Sequence, residues 1–246
     1  MRLNMGFKGK VVLLCAAALF VTGAAYAKGS LGQVRVLTDT QIEFSDAVEH
    51  DRLSVLEKLI TSGIDPNQMV REGDPALVRA IRLGNTDLVE YLLKQPNLDL
   101  NMSSDYGETA LMLAAFAGNE DLTKTLVEKG ASINKTIGWS ALHYAATNGH
   151  DAIVSYLLSK GADVNVRTDA GVTPLYMAAR GRYRKTVMML LRAGAYRDLC
   201  NVQGQSPADA ARKAGDTELA DYLAVDRCIE PPTSPFRKKI ESAEKK

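Results

Sequence analysis

The chain has 246 residues, 46% hydrophobic and 24% charged, and its 30 basic and 29 acidic side chains leave a net charge of +1. That is an ordinary globular length, and so even a balance excludes a general electrostatic pull toward nucleic acid. The order of the residues carries the rest.

Residues 1–27 stand apart. Arg2, Lys8 and Lys10 make a basic start, Val11 to Val21 an apolar run, and Ala25-Tyr26-Ala27 a small-residue cleavage site, the pattern of a secretory signal peptide. The run is short for a membrane span, so cleavage after Ala27 and export are expected, with a retained anchor as the alternative. Cys15 follows Leu13-Leu14 and lies early, which argues against lipid attachment. Without the three leader cations, 27 basic and 29 acidic residues remain. Residues 28–39 have no clear period and are expected to form a flexible arm.

Over residues 40–226 one pattern recurs, most clearly at Gly138 to Asn165. Ser140 can cap a helix, Leu142, Ala145 and Ala146 follow at helical spacing, and Gly149 supplies a left-handed residue that reverses the chain. Ile153, Val154, Leu157 and Leu158 then make the apolar stripe of a second helix. Gly161 stops that helix, and Asn165 is suited to bracing the loop that leaves it. Copies start near 40, 73, 107, 138, 171 and 204, and the key apolar residue returns at Phe44, Leu77, Leu111, Leu142, Leu175 and Ala208.

The copies differ in instructive ways. The first has a polar leading helix with Ser45, Asp46, Glu49, His50 and Arg52, as a terminal repeat needs, and Asp51 replaces the turn glycine. In the second, Pro96 is expected to end the second helix one step early. The loop from Asn134 to Gly138 is two residues short. In the fifth, glycine comes one place early at Gly181, so that Arg182 holds the usual glycine position. The sixth opens on Ser206-Pro207 and carries Asp209, Arg212 and Lys213 as the second polar cap. Residues 227–246, with Pro231-Pro232, Ser234-Pro235 and Arg237-Lys238-Lys239, bury little and are expected to be disordered.

The runs Ser140-Ala141-Leu142-His143-Tyr144-Ala145 and Thr173-Pro174-Leu175-Tyr176-Met177-Ala178 resemble the T-P-L-H-x-A signature of the ankyrin repeat. The resemblance implies an all-α ankyrin-repeat solenoid of about six helix-turn-helix units with polar capping repeats. It also implies where a partner would touch: finger-loop tips, the residue after each unit's first glycine, and the two residues before the turn. Those slots hold Arg71, Glu72 and Asp74, then Tyr106, Glu108 and Phe116, then Ile137, Trp139, Thr147 and Asn148, then Thr168, Val172 and Arg180. Four large apolar groups, Tyr106, Phe116, Ile137 and Trp139, occupy slots that stacking does not require to be buried, as interface anchors do. The alternative is that Trp139 and Ile137 cover the shortened loop. Arg180 and Arg182, with Tyr183, Arg184 and Lys185, form a second candidate surface for an acidic partner or lipid headgroups, or else a solvated helix start.

Signs of catalysis are lacking. His50, His143 and His150 each have a place in a repeat, none has ligands at metal spacing, and no nucleophile motif or phosphate loop is present. No enzyme activity, catalytic residue, metal, cofactor or small-molecule substrate is expected. Cys200 and Cys228 fall toward the same end of the stack; whether they pair depends on Cα atoms coming within about 7 Å. The chain resembles small exported ankyrin proteins of Gram-negative bacteria, which implies a periplasmic module gripping one protein partner on its concave face, with no nucleic acid involved. The most concrete form is an inhibitor or immunity protein that occludes a toxic enzyme such as a lipase. The alternatives are a scaffold or chaperone for a resident enzyme, for example in oxidative-stress defence, and a structural protein at a membrane surface.

Overall fold

Short polar side chains set where the helices begin. In the computed structural model, which describes residues 38–70, 73–134 and 138–229, Thr38, Thr109, Ser140, Thr173 and Ser206 each accept a hydrogen bond from the backbone N–H three residues on. Each satisfies a donor that the first helical turn leaves free. Twelve α-helices follow among the described residues: α1 (Asp39–Glu49), α2 (Leu53–Thr61), α3 (Ala76–Leu83), α4 (Thr86–Leu93), α5 (Ala110–Ala117), α6 (Glu120–Glu128), α7 (Ala141–Asn148), α8 (Asp151–Ser159), α9 (Pro174–Arg180), α10 (Arg184–Arg192), α11 (Pro207–Lys213) and α12 (Thr217–Leu223).

They form six helix pairs stacked in two layers, the all-α solenoid that the repeats imply. Odd-numbered helices pack on one another in sequence to make an inner layer, and each even-numbered helix packs behind its own partner. The inner layer closes tightly because Ala80, Ala114, Ala115, Ala145, Ala146, Ala178 and Ala179 are fully buried and bring little bulk to the contacts. Phe44, Leu111, Leu142 and Leu175 fill the same register between layers. Helix α4 has 8 residues where α6, α8 and α10 have 9, and Pro96 lies just beyond its end.

Repeats are also tied to each other by polar side chains. Asn67 accepts from Asp99 N–H at 2.8 Å and donates to Asn97 carbonyl at 2.8 Å; Asn134 does the same to Asp163 and Gly161, and Asn165 to Tyr196 and Gly194. The asparagine therefore clamps its own loop to the next unit. At the turns, Gly84, Gly118 and Gly149 are left-handed, and so are Asp51 at φ 54° and Arg182 at φ 59°. Gly181 is needed for a different reason: a Cβ there would run into the ring of Tyr183, which also lies against Gly149.

Both ends of the stack depart from expectation. Thr38 and Gln41 form a reciprocal cap, so α1 begins at Asp39, inside the span assigned to a flexible arm. Ser45, one of the polar residues of the first helix, is buried. At the other end the tail is not free from residue 227. Ile229 forms a parallel bridge with Leu199, donating to Asp198 carbonyl at 2.6 Å and accepting from Cys200 N–H at 3.3 Å. Cys200 and Cys228 are joined in a disulfide with Cα atoms 5.6 Å apart. Arg167 donates to the Cys200 carbonyl at 2.6 Å, so the last bonded segment is anchored to the fourth unit's loop as well. The expected leader over 1–27, most of the arm and the tail from 230 lie outside the described residues.

Candidate functional site

The inner helices and the loops between pairs present one long face. Along it the same three slots recur: the residue after the loop glycine, the third position of the inner helix's apolar register, and the residue two before the turn. In the second unit they hold Asp74, Arg79 and Arg82; in the fourth, Trp139, Tyr144 and Thr147.

The second unit's set closes on itself and its neighbours. Arg82 grips Asp74 with Nε at 3.0 Å and Nη2 at 3.3 Å, and reaches Glu108 of the third unit at 2.8 Å. Arg79 binds Glu49 of the first unit through two bonds of 2.8 and 2.9 Å and lies 3.8 Å from Asp74. Bidentate pairs of this kind fix both partners. The hydrogen bond to Asp74, then that to Glu108, hold the Arg82 guanidinium still further above its ordinary range. Asp74 is only 2% exposed.

Glu108 is the junction to a different surface. Its other oxygen accepts the phenol of Tyr144 at 2.9 Å. Burial first, and this bond second, push the Tyr144 hydroxyl up from its ordinary value, so it remains a donor. Phe116 meets the Tyr144 ring edge-on at 5.7 Å and 85°, and Trp139 meets it at 5.5 Å and 53°. Phe116 is nevertheless 46% exposed and Trp139 40%. Tyr106, at the tip of the preceding loop, is 81% exposed. Its position is fixed from below, since the buried Ser104 hydroxyl accepts from the N–H groups of both Tyr106 and Glu108 at 3.2 Å.

The floor of this patch is His143. Its ring stands 5.5 Å from that of Trp139. Nδ1 lies 2.9 Å from the Ser140 hydroxyl, and Nε2 donates to the Val172 carbonyl of the next unit at 3.0 Å. Burial pushes its pKa down to about 4, only partly opposed by the Val172 bond, so the imidazole is neutral at pH 7.

The residues singled out from sequence thus fall into distinct groups. Tyr106, Phe116 and Trp139 lie on the face; Ile137 lies outside the described residues, with Arg71 and Glu72. Asn148 is held toward the third unit, its amide donating to the Phe116 carbonyl at 2.8 Å, where His150 also bonds at 3.0 Å. Arg180 and Arg182 are exposed. The rest of that basic cluster is engaged: Arg184 pairs with Asp216 at 2.7 Å and Glu218 at 2.8 Å, and Lys185 with Asp151 at 3.1 Å. Sequence reasoning missed the Glu49–Arg79–Asp74–Arg82–Glu108–Tyr144 chain. Its signal was present as opposite charges in neighbouring slots of one unit and of adjacent units, 8, 26 and 30 residues apart. Among the described residues no group of His, Cys, Asp and Glu side chains is arranged to hold a metal ion, and no helix is long and apolar enough to cross a membrane.

Comparison with known proteins places this geometry. The family model described as "Ankyrin repeats (3 copies)" matches residues 44–137, and that for "Ankyrin repeats (many copies)" matches 142–191. Alpha-latrocrustotoxin-Lt1a of Latrodectus tredecimguttatus is 38% identical over 97 residues, covering 39% of this chain and 7% of the toxin. The human SH3 and multiple ankyrin repeat domains protein 2 is 28% identical over 229 residues, covering 78% of this chain and 12% of that protein. The chain therefore spans a small part of the curated relatives it matches. Among solved structures, an ankyrin repeat domain from Acinetobacter baumannii superposes with a TM-score of 0.63 at 25% identity, covering 73% of this chain and 95% of that one.

Proposed function

The chain belongs to the ankyrin-repeat family, whose stacks are protein-binding modules, and from that premise we propose that it is an exported module that grips one protein partner on its inner-helix, concave face. The observation that carries this reading is the cluster of Trp139, Tyr144 and Phe116, with Tyr106 beyond it. Tyr144 is held by Glu108, Trp139 and Phe116 rest against it, Trp139 also lies over His143, and the Tyr106 backbone is held by Ser104, while Trp139, Phe116 and Tyr106 keep much of their surface in water. Rigid, half-exposed aromatic groups contribute much to interfaces because little conformational freedom is lost on binding. The disulfide between Cys200 and Cys228 supports an oxidising compartment, in keeping with a periplasmic location and the leader-like segment.

The most specific form of the reading is an inhibitor or immunity protein that covers the active site of a toxic enzyme, such as a lipase. The paired Arg184 and Lys185 weigh against a lipid-surface role, since their charge is matched within the chain. The test is affinity capture from envelope extract with the residue 28–246 chain and with a Trp139→Ala, Phe116→Ala variant, followed by assay of the captured protein. A partner held by the parent, lost by the variant and inactivated when bound supports inhibition. A partner held through the same residues but fully active makes the module a scaffold. Equal capture by both chains rejects this face.

A further inference from the structure

Resting on the reading of this face as a protein-binding surface, we infer what it takes: an arginine side chain of the partner, its guanidinium laid against the rings of Trp139, Tyr144 and Phe116 beside Glu108. Tyr144 is the centre of the cluster, with Phe116 at 5.7 Å and Trp139 at 5.5 Å. Its hydroxyl donates to Glu108 at 2.9 Å. A phenol that gives its proton toward a carboxylate gains electron density in the ring, and it is the negative ring face that attracts a cation.

The charges beside the rings are of both signs, with the negative in excess. Asp74 lies between Arg82 and Arg79, Arg79 is also held by Glu49, and Glu108 pairs with Arg82, so these five groups sum to one negative charge, with Glu108 the member bonded to Tyr144. His143, beneath Trp139, donates to the Val172 carbonyl and adds no positive charge. Two tyrosines elsewhere already have a cation of their own: Lys160 lies 5.5 Å from the Tyr156 ring centre and Arg197 lies 5.2 Å from that of Tyr222. Among the described residues, the three rings of this patch have none. An acidic partner group would face both the carboxylate and the negative ring faces. A guanidinium stacks on the indole and still donates to the unused lone pairs of Glu108.

The test uses short random peptides displayed against the residue 28–246 chain and counter-selected on Trp139→Ala, Phe116→Ala. Survivors are titrated against the fluorescence of Trp139, the chain's one tryptophan. The expected survivors share an arginine whose replacement by glutamine weakens binding about tenfold, with Glu108→Gln weakening it by a comparable factor. The Arg-to-Gln peptide pair decides the matter even if Glu108→Gln lowers stability, because it leaves the protein unchanged. Survivors that need Phe116 and Trp139 but bind as well without any arginine overturn the inference and leave the binding surface standing. No peptide dependent on those two residues overturns both.

Discussion

Two stretches of one face, built on the same slots, behave in opposite ways. At the second unit, Asp74, Arg79 and Arg82 satisfy one another and reach to Glu49 and Glu108, so the surface is closed chemically. At the fourth, Trp139 and Tyr144 occupy the first two of those slots, and the rings complete only part of their contacts within the chain. The stack tolerates either filling because its core lies behind the slots, in the alanines and leucines between layers. What a slot holds is therefore free to serve stability in one unit and recognition in another.

The largest expected effect comes from the floor of the aromatic stretch. His143 has a folded pKa near 4 against an ordinary 6.5. The unfolded chain therefore takes up a proton that the folded chain refuses between those values. Stability should be complete above pH 6.5, fall as pH drops toward 4, and lose about 3 kcal/mol over the window. Urea unfolding at several pH values measures it. His143→Leu should start less stable at pH 7.5, having lost the Val172 bond, but should show one proton less of pH dependence between 6.5 and 4.5. An unchanged slope would mean that another group titrates there.

Next in size is the closed stretch. Asp74→Ala leaves Arg79 and Arg82 facing each other across the site of a buried carboxylate. Because Arg82 is partly in water, the cost should be about 2–3 kcal/mol, toward the lower side of what breaking a buried pair costs. Chemical denaturation checks it, and a loss under about 1 kcal/mol would show the network to be surface decoration.

Where the stack was legible, each unit had to repeat it. Leu142, Ala145, Gly149 and Gly161 recur because every helix pair needs the same stripe, the same small contacts and the same turns, and even Arg182 could be placed in a glycine position from spacing alone. The exposure of Tyr106, Phe116 and Trp139 followed from their slots for the same reason. What could not be read was pairing between units. Tyr144 has nothing near it in sequence to announce its bond to Glu108, which lies 36 residues away, and nothing beside Asn148 announces its bond to the Phe116 carbonyl, 32 residues away. The return of Ile229 to Leu199 was hidden likewise, since a segment rich in proline and lysine begins immediately after it.

A smaller effect is expected at the junction between the two stretches. Tyr144→Phe keeps the ring against Phe116 and Trp139 but removes the donor to Glu108, which retains Arg82. One hydrogen bond to a charged, partly exposed acceptor should cost about 1 kcal/mol. Partner binding should weaken as well, because the ring loses the electron density that the bond supplies; a stability loss without weaker binding would limit Tyr144 to a structural role.

The smallest effect on stability should accompany the largest on recognition. Trp139→Ala with Phe116→Ala removes two rings that are only about half covered, and that rest against Tyr144 and, for Trp139, His143, outside the core between the helix layers. Denaturation should therefore shift by about 0.5–1 kcal/mol, well under the cost at Asp74. Partner binding should fall by at least about a hundredfold, as truncation of two anchors does. If instead the double variant loses as much stability as Asp74→Ala, the rings are a lid over the shortened loop between the third and fourth units. The open stretch would then be as self-satisfied as the closed one.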